Sequence, residues 1–147
     1  MLLLVKIRKF KSLNFYEKKM FVYSIFYLII TTLMIEILPM KYLKKILGKN
    51  VKNVDESNVE ENILLIIKIV RKNILRASKI FPWKVKCYSQ ALTAKLILKK
   101  HKIESYLYLG INKKHSEMKA HAWLKVGNIF VIGEKPVKEY KPIAIFR

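Results

Sequence analysis

The spacing of hydrophobic and polar residues changes near residue 81 and divides the chain into two parts with different predicted structure. Residues 12–35 are mostly apolar, as expected of a helix with little contact with water. Residues 59–80 repeat apolar side chains at intervals of three and four, the spacing of one helix face. The first part is therefore predicted to be built on two long helices.

A shorter helix and a linker are predicted between the two long helices. Pro39 ends or bends the first helix, because proline cannot donate a helical hydrogen bond. Residues 40–47 follow as a short basic helix, and the polar residues 49–58 read as a linker. Ser57 or Asn58 is the predicted N-cap of the second long helix.

The second part combines one helix with several strands. Residues 87–100 have a helical pattern that ends in basic residues. Gly127 and Asn128 give a two-residue hairpin signal, and Pro142 favours a sheet edge because it has no N–H for a neighbouring strand. The predicted strands are residues 103–111, 120–126, 129–132 and 141–146.

The predicted fold class is therefore α+β. A helical N-terminal region, residues 1–80, precedes a core, residues 81–147, in which a helix carrying Cys87 packs on an antiparallel sheet carrying His121. At 147 residues the chain is long enough for one sizeable hydrophobic core.

The charge is strongly positive, with 30 Lys and Arg against 10 Asp and Glu, a formal +20. This excess attracts polyanions, acidic peptides and anionic membrane surfaces without choosing among them. The alternative explanation is the codon bias of an AT-rich genome, which enriches lysine, isoleucine and asparagine. The single cysteine excludes an internal disulfide and zinc sites that need two or more thiolates, so no metal is predicted.

Residues 20–35 carry no charge, but sixteen residues are fewer than the roughly 20 of a spanning helix. Glu36 and Pro39 follow directly, which favours a helix that is buried or that lies on a membrane or a partner. The N-terminal residues lack the order of a signal peptide. The expected location is cytoplasmic, with peripheral association at the membrane as a further expectation.

Cys87 and His121 are the candidate catalytic pair. A thiol in the first turn of a helix lies where backbone N–H groups and the helix dipole favour its anion. A histidine on the packed sheet can then act as acid and base, and the free N–H groups can hold an oxyanion. The alternative for each residue is structural, since free cysteines and strand histidines are often only packed.

Several segments together resemble a known family. Pro82-Trp83, the stretch CYSQALTAKLILKKHKIESYLYLGI that begins at Cys87, the stretch AHAWLKVGN that contains His121, and the closing KPIAIF are similar to the transglutaminase-like cysteine proteases of lasso peptide biosynthesis. The helical first part resembles the region that precedes the protease core in that family. The resemblance implies a transglutaminase/papain-like core with Cys87 as the nucleophile and His121 as the general base.

The resemblance also implies a role and partners. These proteases remove the leader segment of a ribosomally made precursor peptide, which a separate leader-recognition protein presents. An ATP-dependent cyclase then closes the macrolactam, and ATP belongs to that cyclase, so no cofactor is expected here.

The sequence also offers a candidate for the third catalytic residue and two candidate substrate contacts. Many relatives carry an aspartate about a dozen residues after the histidine, where this chain has Gly133. Glu134 is the predicted substitute, although neighbouring strand residues face opposite sides of a sheet. Trp83 and Trp123 are predicted substrate contacts, and a core position is the alternative for Trp123.

Two other functions stay open at this point. One is a noncatalytic basic protein that binds nucleic acid or a membrane surface. The chain shows no helix-turn-helix or aromatic and basic single-strand platform, so nucleic acid is not an expected partner. The other is a transglutaminase-like acyl transferase, in which an amine replaces water as the acceptor.

Overall fold

The computed structural model describes residues 14–114 and 117–147, which form four helices and one four-stranded antiparallel sheet. The helices are α1 (Phe15–Ile37), α2 (Met40–Leu47), α3 (Glu61–Ser78) and α4 (Cys87–Lys100). The strands are β1 (Tyr106–Lys114), β2 (Glu117–Val126), β3 (Ile129–Ile132) and β4 (Lys141–Phe146), with a short 3-10 turn at Val137–Glu139. The α+β prediction is confirmed, and the predicted start of the first helix at residue 12 lies outside the described residues.

The helix α4 lies at the centre of the molecule. It contacts α1 and α3 on one side and all of β1, β2 and β3 on the other. Most of its side chains are buried, and several are small, including Ser89, Ala91 and Ala94. Small side chains let the neighbouring elements approach closely, so α4 is held from both sides. A single buried cluster joins residues of all four helices and the sheet.

The sheet has the order β3-β2-β1-β4. The strand β4 lies at one edge, which confirms the prediction made from Pro142. The other edge is incomplete, because β3 pairs only with Leu124, Lys125 and Val126 of β2. The first part of β2, residues 117–123, therefore has no described strand on its outer side. This open edge is where the candidate site forms.

The predicted start of β1 shifts because of the hydrogen bonds that end α4. The strand β1 begins at Tyr106 rather than at residue 103, because Ile103 belongs to the end of α4. The N–H of Ile103 donates to Leu98 O at 3.0 Å, and the N–H of Lys102 donates to Lys99 O at 3.0 Å. Lys102 has a φ angle of 59°. This is the Schellman arrangement, with a lysine in the left-handed position that glycine usually occupies.

The helix α3 begins at Glu61 rather than at residue 59, and its N-cap is Glu60, without a side-chain cap. The predicted caps Ser57 and Asn58 contact the β2–β3 hairpin instead. The backbone N–H of Asn128 donates to Ser57 O at 3.2 Å. The side-chain amide of Asn128 donates to Asn58 Oδ1 at 3.1 Å. The linker is thus used to hold the hairpin. The domain boundary at residue 80 stays a prediction.

The outermost helix, α1, is long and apolar enough to cross a membrane by length and composition, a test that a core helix of a soluble protein also passes. In the structure one side of α1 packs on α3 and α4. Two buried hydroxyls join the helices, with Thr31 Oγ1 and Thr93 Oγ1 2.9 Å apart. The chain therefore forms a small domain in which this apolar helix is packed along one side.

A lysine is buried on the sheet side of α4. Lys95 Nζ donates to Ser105 O at 2.9 Å and to Phe146 O at 3.2 Å. These bonds tie α4 to the start of β1 and the end of β4. Burial, followed by repulsion from Lys99, lowers the pKa of Lys95 from 10.5 to about 8.

The lowered pKa of Lys95 makes stability depend on pH with a definite sign. Between pH 8 and 10.5 the unfolded chain keeps the Lys95 proton and the folded chain releases it. The free energy of unfolding therefore rises with pH in this window relative to a Lys95→Met variant, which has no such proton. Urea denaturation of both proteins at several pH values measures the difference.

The Lys68→Met variant is the matched control, because that lysine is exposed on α3 and is not among the charges that shift the pKa of Lys95. It should unfold with the pH dependence of the wild type. A difference between wild type and Lys95→Met that stays constant from pH 8 to 10.5 would contradict the depressed pKa.

Candidate active site

Cys87 is the first residue of α4 and is a free, partly exposed thiol. The N-cap, Lys86, offers no side-chain hydrogen bond to the helix end. The first backbone bond of the helix runs from Gln90 N–H to Lys86 O at 3.1 Å. The N–H groups of residues 87–89 precede that bond, so they are available to an anion beside the thiol.

The residues around Cys87 fix this helix end. Val85 is buried, and its carbonyl accepts a 3.3 Å hydrogen bond from the side-chain amide of Gln90. Lys86 forms an ion pair with Glu36 at the end of α1. The sequence patterns did not single out Gln90, because only its position one turn after Cys87 brings its amide to the site.

His121 lies on β2 in the section that β3 leaves open. Its side chain shares a side of the strand with Trp123, whereas Ala122 and Leu124 face the core cluster. The imidazole packs against the rings of Trp123 and Tyr140, with centroids 5.9 and 5.1 Å apart. These contacts hold the ring at the open edge of the sheet.

The imidazole is also held by a backbone carbonyl. His121 Nε2 lies 2.9 Å from Gly133 O, just after β3 ends. Gly133 has φ +81°, and a Cβ there would lie 2.7 Å from Ala122 O and 2.8 Å from Trp123 Cβ. A glycine is required, because both the left-handed backbone and the lack of space exclude a side chain. Sequence reasoning missed this group because it looked for a carboxylate side chain.

The carbonyl fixes the tautomer of the neutral imidazole. A carbonyl oxygen only accepts hydrogen bonds, so Nε2 must carry the proton and donate it to Gly133 O. The unprotonated nitrogen of neutral His121 is then Nδ1, which is free to accept a proton from a reacting group. An orienting carboxylate would leave the imidazole in the same state.

Cys87 and His121 line the same cleft, which has a volume of about 860 Å³. Among the described residues no hydrogen bond joins the thiol to the imidazole. Catalytic hydrogen bonds are often long before substrate binds, so this separation is compatible with a working pair. The other residues that line the cleft are Arg71, Leu75, Lys84, Val85, Lys86, Gln90, Ile132, Gly133, Glu134 and Lys135.

The lining of the cleft is positive, with one arginine and three lysines against a single carboxylate. That carboxylate, Glu134, lies 3.7 Å from Arg71 in an exposed ion pair. Arg71 also reaches Phe130 O at 3.4 Å and so links α3 to β3. Glu134 is thus a member of the site, and its role as the third catalytic residue stays a prediction.

The two tryptophans occupy different places. Trp83 lies before α4, is 53% exposed and packs on Phe81 with ring centroids 5.2 Å apart. Trp123 is buried and stacks on Tyr108, with centroids 5.2 Å apart. In the described part of the chain, neither tryptophan is among the residues that line the cleft of Cys87 and His121. Their contacts with substrate stay predictions, and Trp123 already has a role in holding the imidazole.

The comparison with known families rests on a large part of the chain. A model of the transglutaminase-like superfamily matches residues 40–145. The chain belongs to this superfamily. A search of curated proteins and a search of solved structures found no match. The match covers α2, α3, α4 and nearly all of the sheet, and it leaves α1 outside.

Membership in the transglutaminase-like superfamily gives the cleft a chemical context. The superfamily includes cysteine peptidases and acyltransferases, both of which depend on a thiol. Cys87 is the single cysteine of the chain, so it is the one thiol that can serve such a reaction. Among the described residues no group of three or more histidine, cysteine, aspartate or glutamate side chains is placed to hold a metal ion.

The hydrogen bond to Gly133 predicts the protonation of neutral His121. Long-range ¹H–¹⁵N NMR spectra recorded above the imidazole titration should show a protonated Nε2 and an unprotonated Nδ1. His101, at the exposed end of α4, is the internal reference. A neutral ring of His121 protonated at Nδ1 would contradict the carbonyl bond.

Proposed function

We propose that the protein is a cysteine peptidase that removes the leader segment of a ribosomally made lasso precursor peptide. The peptidase chemistry is supported by the cleft that both Cys87 and His121 line. Cys87 lies at a helix N-terminus without a side-chain cap, and the bond from His121 Nε2 to Gly133 O leaves Nδ1 as the basic nitrogen. The choice of a lasso precursor rests on the resemblance of the segments around Cys87 and His121. Membership in the transglutaminase-like superfamily supports the thiol chemistry.

The reaction divides into acylation and deacylation. Cys87 Sγ attacks the scissile carbonyl carbon while its proton passes to His121 Nδ1. The N–H groups at the start of α4 stabilise the oxyanion. The tetrahedral intermediate then expels the amine, which takes the proton from Nδ1, and a thioester remains on Cys87.

Water completes the cycle. His121 Nδ1 takes a proton from water as its oxygen attacks the thioester carbon. The second tetrahedral intermediate releases the leader as a carboxylic acid, and the thiolate recovers the proton from the imidazolium. Throughout, Gly133 O keeps the Nε2–H in place, which stabilises the charged ring through its dipole.

The shape and charge of the cleft suit a peptide with acidic residues. The open edge of β2 offers unpaired backbone groups to an extended segment, which would add to the sheet as a strand. Arg71, Lys84 and Lys135 attract carboxylates toward the same cleft. A separate leader-recognition protein would present the precursor, and an ATP-dependent macrolactam cyclase would act on the released amino terminus.

Cleavage of a precursor peptide tests both residues. The purified chain is incubated with a precursor and its recognition protein, and the products are identified by mass spectrometry. Cys87→Ala should abolish cleavage, and His121→Ala should lower its rate by about a hundredfold or more, the usual contribution of a general base. Both variants should keep the circular dichroism spectrum of the wild type.

His101→Ala is the matched control, because His101 lies at the opposite end of α4 from Cys87. It should cleave at the wild-type rate. Continued cleavage by Cys87→Ala would contradict the assignment of the protein as a cysteine peptidase. Transfer of the leader acyl group to an added amine, with no hydrolysis, would show an acyltransferase.

A further inference from the structure

The helix α1 has an outer face that is as apolar as its buried face. Its inner face packs through Met20, Phe21 and Leu28. Its outer face consists of large apolar residues at four- and three-residue intervals, so they form one stripe along the helix. These residues are Val22 (55% exposed), Phe26 (57%), Ile29 (42%), Leu33 (53%) and Ile37 (71%).

The stripe is long and uncharged. The sixteen residues from Val22 to Ile37 correspond to roughly 22 Å of helix between the first and the last Cα atom. No charged residue occurs among residues 20–35. An exposed apolar face of this length is uncommon on a monomeric soluble domain and marks a surface that contacts another apolar phase or molecule.

Cations lie at both ends of the stripe. Lys18 and Lys19 precede Val22 by four and three residues, so they continue the same face. At the other end α2 buries Leu43 and Leu47 and exposes lysines at 41, 44 and 45. In the sequence, residues 1–13 add four cations and no acid.

The acidic residues of α1 are already paired with the core. Glu17 accepts from Lys72 of α3 at 2.7 Å, and Glu36 pairs with Lys86 before α4. The lysines that flank the stripe thus have no carboxylate of α1 to compensate them. The arrangement is apolar in the middle and positive at both ends.

We propose that the outer face of α1 binds the surface of an anionic lipid bilayer. The apolar stripe enters the boundary between headgroups and acyl chains, and the lysines at its ends contact lipid phosphates. Tyr16 and Tyr42, both partly exposed near these ends, suit the same boundary because each has an apolar ring and a polar tip.

The contacts of α1 decide how the helix would meet the bilayer. Its inner face is bound to α4 through Thr31 and to α3 and α4 through the ion pairs at both ends. A spanning orientation would break all of these contacts. The helix therefore lies in the plane of the surface, with the rest of the domain outside the bilayer.

Charge favours lipid over a second copy of the chain. Two copies joined through their stripes would bring lysines against lysines in either orientation, because both ends are positive. Like charges at an interface oppose association. Anionic headgroups neutralise the same lysines, so the bilayer is the occupant that fits both features of the surface.

Flotation with lipid vesicles tests the proposal on the full chain. The protein should float with phosphatidylcholine vesicles that contain about 30% phosphatidylglycerol and much less with pure phosphatidylcholine. Binding should weaken as salt is raised, since the lysine contacts are screened. The double variant Phe26→Ser/Leu33→Ser should lose about tenfold or more in partitioning, because two large apolar contacts are removed.

The matched control is Leu65→Ser/Ile143→Ser, which removes two equally exposed apolar residues of α3 and β4. It should bind like the wild type. Failure of the wild type to float, or equal binding by both double variants, would overturn the proposal. A concentration-dependent dimer in sedimentation experiments that Phe26→Ser/Leu33→Ser abolishes would also overturn the proposal. The stripe would then bind a second copy of the chain.

Discussion

The helix α4 lies between α1 and α3 on one side and the sheet on the other, and this burial determines where the chemistry can occur. Its central residues are fully enclosed, so the helix has no freedom to rotate or slide. Cys87 sits at the end that emerges from this enclosure, where the backbone N–H groups are uncapped. Lys95 ties the middle of the helix to Ser105, just before β1, and to Phe146 at the end of β4. The candidate nucleophile is thus held on a rigid element rather than on a loop.

The imidazole depends on a different feature, the early end of β3. Because β3 stops at Ile132, the chain turns away at Gly133 and presents a carbonyl to His121. A carboxylate would stabilise a charged imidazole more strongly than this carbonyl dipole does. The geometry is nevertheless equivalent, since both acceptors leave Nδ1 as the basic nitrogen. The imidazole is therefore oriented by a backbone group at a position where only glycine fits.

The sequence predicts elements well where periodicity and packing agree. The helix from Cys87, the strands β3 and β4 and the edge position of β4 follow directly from apolar spacing and from Pro142. Boundaries shift where backbone hydrogen bonds decide, as at Ile103, which closes α4 instead of opening β1. The extension of β2 back to residue 117 has no apolar signal, because that section is exposed.

The candidate site could be predicted only in part from the sequence. Cys87 and His121 carry recognisable side chains in recognisable patterns, and the structure places both in one cleft. The spacing from His121 leads to Gly133, but the role of its carbonyl becomes visible only in the folded chain, because a glycine has no side chain to indicate it. The amide of Gln90 has neither a distinctive residue type nor a distinctive spacing.

The central claim is that His121 activates Cys87, and the rate of thiol alkylation tests it most directly. The chain has one cysteine, so iodoacetamide reports on a single thiol. At neutral pH the wild type and His101→Ala should react at equal rates, and His121→Ala should react about tenfold more slowly, because it lacks the imidazole that takes up the thiol proton as Cys87 attacks. Equal rates in all three proteins would contradict the account and leave Cys87 as a structural residue.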